Sequence, residues 1–142
     1  MLRRPAFWIL VALLVIGVGV QLIPYGRDHT NPNVIQEPAW DSPQTRELAV
    51  AACFDCHSNE TAWPWYAKVA PISWLVDNHV TEGRAVLNFS EWNKTQNGAS
   101  RAASVTRDNE MPPWYYKLAH ASARLSETDV EALAGGLERS VR

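Results

Sequence analysis

Cysteine is almost absent from this chain. There are two in 142 residues, and both fall in one short run at Cys53 and Cys56. No disulfide framework is available beyond a Cys53–Cys56 pair. Methionine is as scarce, with Met111 the only one besides the initiator. Neither sign of charge predominates: 13 basic residues stand against 15 acidic ones, for a formal net charge of −2. That balance points neither to nucleic acid nor to strong attraction to an anionic lipid surface. No stretch alternates apolar and polar residues as a half-buried strand would, and no internal repeat occurs. The length suits one ordinary domain with an appendage and is too short for two. What the chain has in quantity is tryptophan, seven residues, all but Trp8 lying after position 39.

The N-terminus reads as an address. Residues 1–5 are basic, and 6–20 then run without a polar side chain, with Leu22 and Ile23 extending the stretch past Gln21. At about 1.5 Å per residue, a helix over 6–23 spans roughly 27 Å, close to the ~30 Å hydrocarbon core of a bilayer. Arg3 and Arg4 would keep the near end in the cytoplasm and send the rest outward. A cleaved signal peptide is the alternative, but Gly17-x-Gly19 is a poor cleavage site and no Ala-x-Ala follows. The expected organisation is a cytoplasmic stub at 1–5, a membrane anchor (or signal sequence) at 6–23, a linker at 24–41 and a domain at 42–142. The linker carries Pro24, Gly26, Pro32 and Pro38.

The domain is expected to be all-α. Ser42-Pro43 opens a helix over about 43–54, with serine as cap and proline in the first turn. A second helix, 72–87, sets Ile72, Leu75, Val76, Val80, Val86 and Leu87 on one stripe, together with His79 and Gly83. A more polar helical stretch is expected over 90–106, then a loop over 107–116 forced by Pro112 and Pro113. Ser126, with Asp129 three residues on, caps a last helix carrying Val130, Leu133, Leu137 and Val141.

Cys53-Phe54-Asp55-Cys56-His57 is the most specific feature of the sequence. Cys-x-x-Cys-His is the attachment signature of c-type haem: each thiol adds across one porphyrin vinyl group, and the histidine ligates the iron from the proximal side. A thioredoxin-type pair would need a βαβ context that is not visible. Half of a zinc site would need two of His29, His57, His79 and His120. The sixth iron ligand is expected to be Met111, on a loop stiffened by Pro112 and Pro113, with His79 as the rival and an open site the remaining option. Trp63, Trp65, Tyr66, Trp74 and Trp114 are the expected pocket walls, flat side chains suited to a large flat group. Arg84 and Lys68 read as solvated surface charges.

The chain resembles the small haem-binding domain family of bacterial exported proteins. The resemblance rests on the run from Cys53 to Thr61, Trp63-Pro64-Trp65-Tyr66, Pro71-Ile72-Ser73-Trp74-Leu75, His79-Val80, Glu82-Gly83-Arg84, Asn88-Phe89-Ser90-Glu91-Trp92 and Met111-Pro112-Pro113-Trp114-Tyr115, with further matches over 22–32. It implies one covalent haem c but no particular reaction. The leading expectation is a single-pass protein of the bacterial inner membrane, its domain in the periplasm, acting as a monohaem cytochrome that transfers electrons between periplasmic or membrane redox partners. A peroxidase-like haem enzyme or a gas-binding sensor is the alternative, and each would need an open distal site.

Overall fold

The computed structural model describes residues 3–141, and the first two residues of the basic stub lie outside the described residues. Among those described there are seven α-helices and no β-strand, so the protein is all-helical. They fall into two compact units. One is built from residues up to His29 with Trp63–His79; the other is built from Thr30–Ala62 with everything from Val80 onward.

In the first unit, α1 (Arg3–Gly19) runs into a 3₁₀ turn, Val20–Leu22. Its side chains are apolar all round and nearly all exposed, and Arg4–Leu22 is long and apolar enough to cross a membrane. Gln21 ends the apolar run with a two-point clamp on Ala70. Its Nε2 donates to the Ala70 carbonyl at 2.8 Å, and its Oε1 accepts from the Ala70 N–H at 3.0 Å. Gly26 lies at φ +68°, where a Cβ would also meet the Ser73 carbonyl at 2.8 Å, so both backbone angle and space demand glycine. His29 stacks on Trp63 with ring centroids 4.4 Å apart. The 3₁₀ turn Trp65–Lys68 and the first part of α4 (Ile72–Val86) complete this unit.

In the second unit, α2 (Pro43–Ala52) starts where expected, with Ser42 accepting from the Thr45 N–H at 3.2 Å. It does not run on to residue 54. The backbone turns at Cys53 (φ −123°, ψ −34°) and restarts as the single turn α3 (Phe54–His57). The break forfeits about 1 kcal/mol per hydrogen bond lost. It coincides with burial of the Phe54 ring against Phe89, 5.7 Å between centroids, and a buried phenylalanine is worth roughly 2–3 kcal/mol.

The expected helix over 90–106 is found only at its end, as a 3₁₀ turn Ala99–Arg101 leading into α5 (Ala102–Arg107). Upstream, side chains take the backbone partners that a helix would use. Asn88 Oδ1 accepts from the Ser90 N–H, Gln96 Oε1 from the Asn88 N–H, and Gln96 Nε2 donates to the Glu91 carbonyl. Likewise the loop over 107–116 ends sooner than expected, because α6 (Trp114–Ala119) begins directly after Pro113. Proline excludes helix on its N-terminal side and favours a start on the other.

The last helix, α7 (Glu127–Ser140), is capped by Ser126 and packs against both α2 and α5. Around it lies the core of Ala49, Ala52, Phe54, Leu87, Phe89, Ala102, Ala103, Leu133, Ala134 and Leu137. The stripe expected on α4 is only partly buried: Val80 and Leu87 are inside, whereas Ile72, Leu75 and Val86 are exposed. Residues 35–36 are fixed to this unit by an isolated bridge between Gln36 and Glu91.

The tightest helix contact is Gly136 of α7 on Thr45 of α2. A Cβ at 136 would meet Thr45 Oγ1 at 2.1 Å and Cγ2 at 2.5 Å. Replacing a helical glycine by alanine ordinarily stabilises by about 1 kcal/mol. Here overpacking, which costs about 1–3 kcal/mol, reverses that sign. Gly136→Ala should therefore lower the urea midpoint, and Thr45→Ala in the same chain should recover part of the loss, because the residue-45 Cβ, 2.8 Å from the added methyl, remains. Purely additive effects of the two changes would contradict this contact.

Candidate functional site

The second unit brings Cys53, His57 and Met111 to one cavity of about 290 Å³. Its other walls are mainly apolar: Val86, Leu87, Phe89, Ala102, Val105 and Leu137 all line it. Three elements deliver the reactive side chains. Cys53 stands at the break between α2 and α3, His57 ends α3, and Met111 lies on the loop between α5 and α6.

His57 is held by α4. Its Nδ1 lies 3.0 Å from the carbonyl oxygens of both Gly83 and Leu87. Two acceptors require that nitrogen to carry the proton, which leaves Nε2 with the lone pair. Burial is the main cause that lowers the His57 pKa below the ordinary histidine range, against the raising effect of those two hydrogen bonds. The ring is therefore neutral at neutral pH, the state in which imidazole ligates a metal. The backbone on either side is fixed too: the Phe89 N–H donates to the His57 carbonyl at 2.8 Å, and Arg84 Nε donates to the Ser58 carbonyl at 2.7 Å. Arg84 also reaches Asn31 Oδ1 and Thr61 Oγ1, so it is a half-buried tie within the fold and not the solvated charge expected of it.

Gly83 lets α4 approach this closely. A Cβ there would stand 2.4 Å from the Cys56 carbonyl oxygen. Burial pushes the Cys53 thiol up to about 12, with Cys56 beside it adding to the shift. The Cys56 thiol is pushed up to about 11, by burial first and then by the Asp55 carboxylate. Both thiols are therefore held in the neutral, protonated form. Among the described residues no group of three His, Cys, Asp or Glu side chains is placed to hold a metal ion by itself. Conversion to a thioether removes the ionisable proton altogether and leaves no charge to bury. Cys53, the neutral imidazole, Met111 and the mainly apolar walls fit a haem, although Cys56 is not among the residues that line the cavity.

Met111 is 42% exposed at the cavity, and its N–H donates to the Val105 carbonyl at 3.0 Å. The segment after it is tied back to the cysteine run, because the Tyr116 hydroxyl donates to Asp55 Oδ2. His79 belongs to the first unit and is not among the residues that line the cavity. Neither are the five expected aromatic walls. Trp63 stacks on His29, Tyr66 meets Trp65 edge-on, Trp74 is half-buried in the first unit, and Trp65 and Trp114 are exposed. Residues that line the cavity come from the end of α4, from α5 and from α7. Of these, only Val86, Leu87 and Leu137 stood on a legible helical stripe in the sequence.

Gly83→Ala tests the approach of α4. The clash with the Cys56 carbonyl should outweigh the ~1 kcal/mol gain in helix propensity and destabilise the domain by about 1–3 kcal/mol. It should also lower the fraction of chains that acquire covalent haem, while Ala85→Ser on the exposed side of the same helix changes neither quantity. An unaltered thermal midpoint and haem yield in Gly83→Ala would contradict the packing described.

A family model described as a haem-binding domain matches residues 15–139 of the chain. No curated protein and no solved structure matches it.

Proposed function

From the premise that the chain belongs to the haem-binding domain family, we propose that it is a membrane-anchored monohaem c-type cytochrome that passes electrons between redox proteins of the periplasm or membrane. The observation that carries this reading is the meeting of Cys53, His57 and Met111 at one apolar cavity. Haem bound there supplies a one-electron couple between ferric and ferrous iron. Cys53 and Cys56 would hold the haem as thioethers, and His57 would ligate its iron through Nε2, oriented by the Nδ1–H bonds to Gly83 and Leu87.

Met111 would supply the other iron ligand in this reading. A thioether is neutral and soft, and Met/His ligation raises the potential relative to two histidines. The Asp55–Tyr116 bond holds the start of α6 against the cysteine run, so the Met111 loop is fixed at both ends, through Val105 and through Tyr116. Val86, Leu87, Val105 and Leu137 exclude water from the iron and so tune the potential further. One haem is expected, since the chain holds one such motif.

Membrane attachment follows from α1. The exposed apolar helix is retained as a single-pass anchor in the bacterial inner membrane, with Arg3 and Arg4 in the cytoplasm and the haem domain in the periplasm. An electron carrier fixed in this way meets its donor and acceptor by diffusion in two dimensions.

Met111→Ala tests the ligand set. The wild-type protein should be low-spin with a methionine–iron charge-transfer band and indifferent to carbon monoxide. The variant should become high-spin, bind carbon monoxide at once and have a lower potential. A low-spin variant with an unchanged spectrum would remove Met111 from the site, and a wild type that is itself high-spin and ligand-binding would move the protein to catalysis or gas sensing.

A further inference from the structure

The first unit carries a set of large apolar side chains that the protein itself leaves uncovered. Leu22 is 82% exposed and Trp65 79%, and Ile23, Tyr25, Val69, Ile72 and Leu75 are exposed as well. They come from two stretches far apart in sequence, 22–25 and 65–75, that the fold joins at one place. The Gln21 clamp on Ala70 fixes the aromatic loop at the C-terminal end of α1, where the apolar run stops. One turn further on, the Gly26 backbone lies against the backbone of Ser73 and Trp74. No side chain at 26 would permit that approach.

We propose that this face is a lipid-contacting collar, seated in the outer interfacial layer of the bilayer that α1 crosses. The proposal rests on the reading of α1 as a membrane span and adds to it that residues 65–75 dip into the same interface. The occupant follows from continuity. The clamp attaches the loop to the last turn of the span, so whatever surrounds Leu22 and Ile23 also surrounds the residues held beside them. Tryptophan and tyrosine concentrate at membrane–water interfaces, where the ring body is sheltered and the N–H or O–H remains wet, and Trp65 and Tyr25 have that character. Lys68, exposed in the same turn, has the long stem that lets an ammonium group reach the headgroups while its methylenes lie along apolar surface. The face is apolar and not basic, which agrees with a chain of nearly balanced charge: seating depends on partition of side chains and not on anionic lipid. It also gives the exposed aromatic loop a reason that a haem-wall role does not supply.

The test uses the full-length haem protein, reduced to its diamagnetic low-spin form, labelled with 5-fluorotryptophan and placed in phosphatidylcholine nanodiscs. A fraction of the lipid carries a gadolinium-chelating headgroup. Fluorine resonances of Trp8 and Trp65 are assigned by Trp8→Phe and Trp65→Phe. The expected result is loss of both signals by paramagnetic broadening, Trp8 because it lies within the span and Trp65 because it lies in the collar. Loss of the Trp8 signal with a sharp Trp65 signal would leave the anchor standing and overturn the collar, freeing that face for a protein partner. Two sharp signals would overturn the anchor and the collar together.

Discussion

The bond on which the site depends runs from His57 Nδ1 to the end of α4. A helix ends with carbonyl oxygens that have no helical N–H to accept, and with the negative pole of its dipole. His57 places its one N–H between the Gly83 oxygen, which also accepts from the Leu87 N–H, and the oxygen of Leu87, just past the helix end. Three consequences follow together. The tautomer is fixed, so the lone pair is on Nε2. The ring plane is fixed, because two acceptors on different residues allow little rotation. The cysteine run is also docked on α4, close enough that residue 83 must be glycine.

From that contact the remainder of the haem site extends by short links. The His57 carbonyl receives the Phe89 N–H, and Phe89 stacks with Phe54 from inside the Cys-x-x-Cys run. Asp55, in the same run, receives the Tyr116 hydroxyl and so holds the segment after Met111. α7 closes the core from the other side, touching α2 at Gly136 and lending Leu137 to the cavity. Phe54, Asp55 and His57 thus each have a structural partner as well as a place in the motif. That accounts for a single turn of helix, α3, standing alone.

What was legible in the sequence was whatever depends on local pattern. The cysteine run, the caps at Ser42 and Ser126 and the apolar N-terminal helix all announce themselves within a few residues. Met111 was legible by scarcity and by its prolines. The segment 90–98 was not, because its form is set by Asn88, Ser90 and Gln96 bonding to nearby backbone, which leaves no periodic trace. The aromatic residues are ambiguous for a related reason. Tryptophan reports a need for a large flat apolar surface, and the same residue serves a cofactor wall or a membrane interface. The Gln21–Ala70 clamp, between residues far apart in sequence, leaves no local trace either. Arg84 read as surface because its three acceptors come from Asn31, Ser58 and Thr61, none of which is a neighbour in the chain.

The central claim is that the Cys53–His57 run holds haem through covalent bonds. The most direct measurement is the intact mass of the protein matured in cells that carry the c-haem attachment machinery, taken after acid–acetone extraction. The account predicts a chain heavier by one haem that survives extraction, and a Cys53→Ser/Cys56→Ser chain at the mass of the polypeptide alone. A wild-type chain that loses all its haem to acid–acetone, or never gains any, would contradict it.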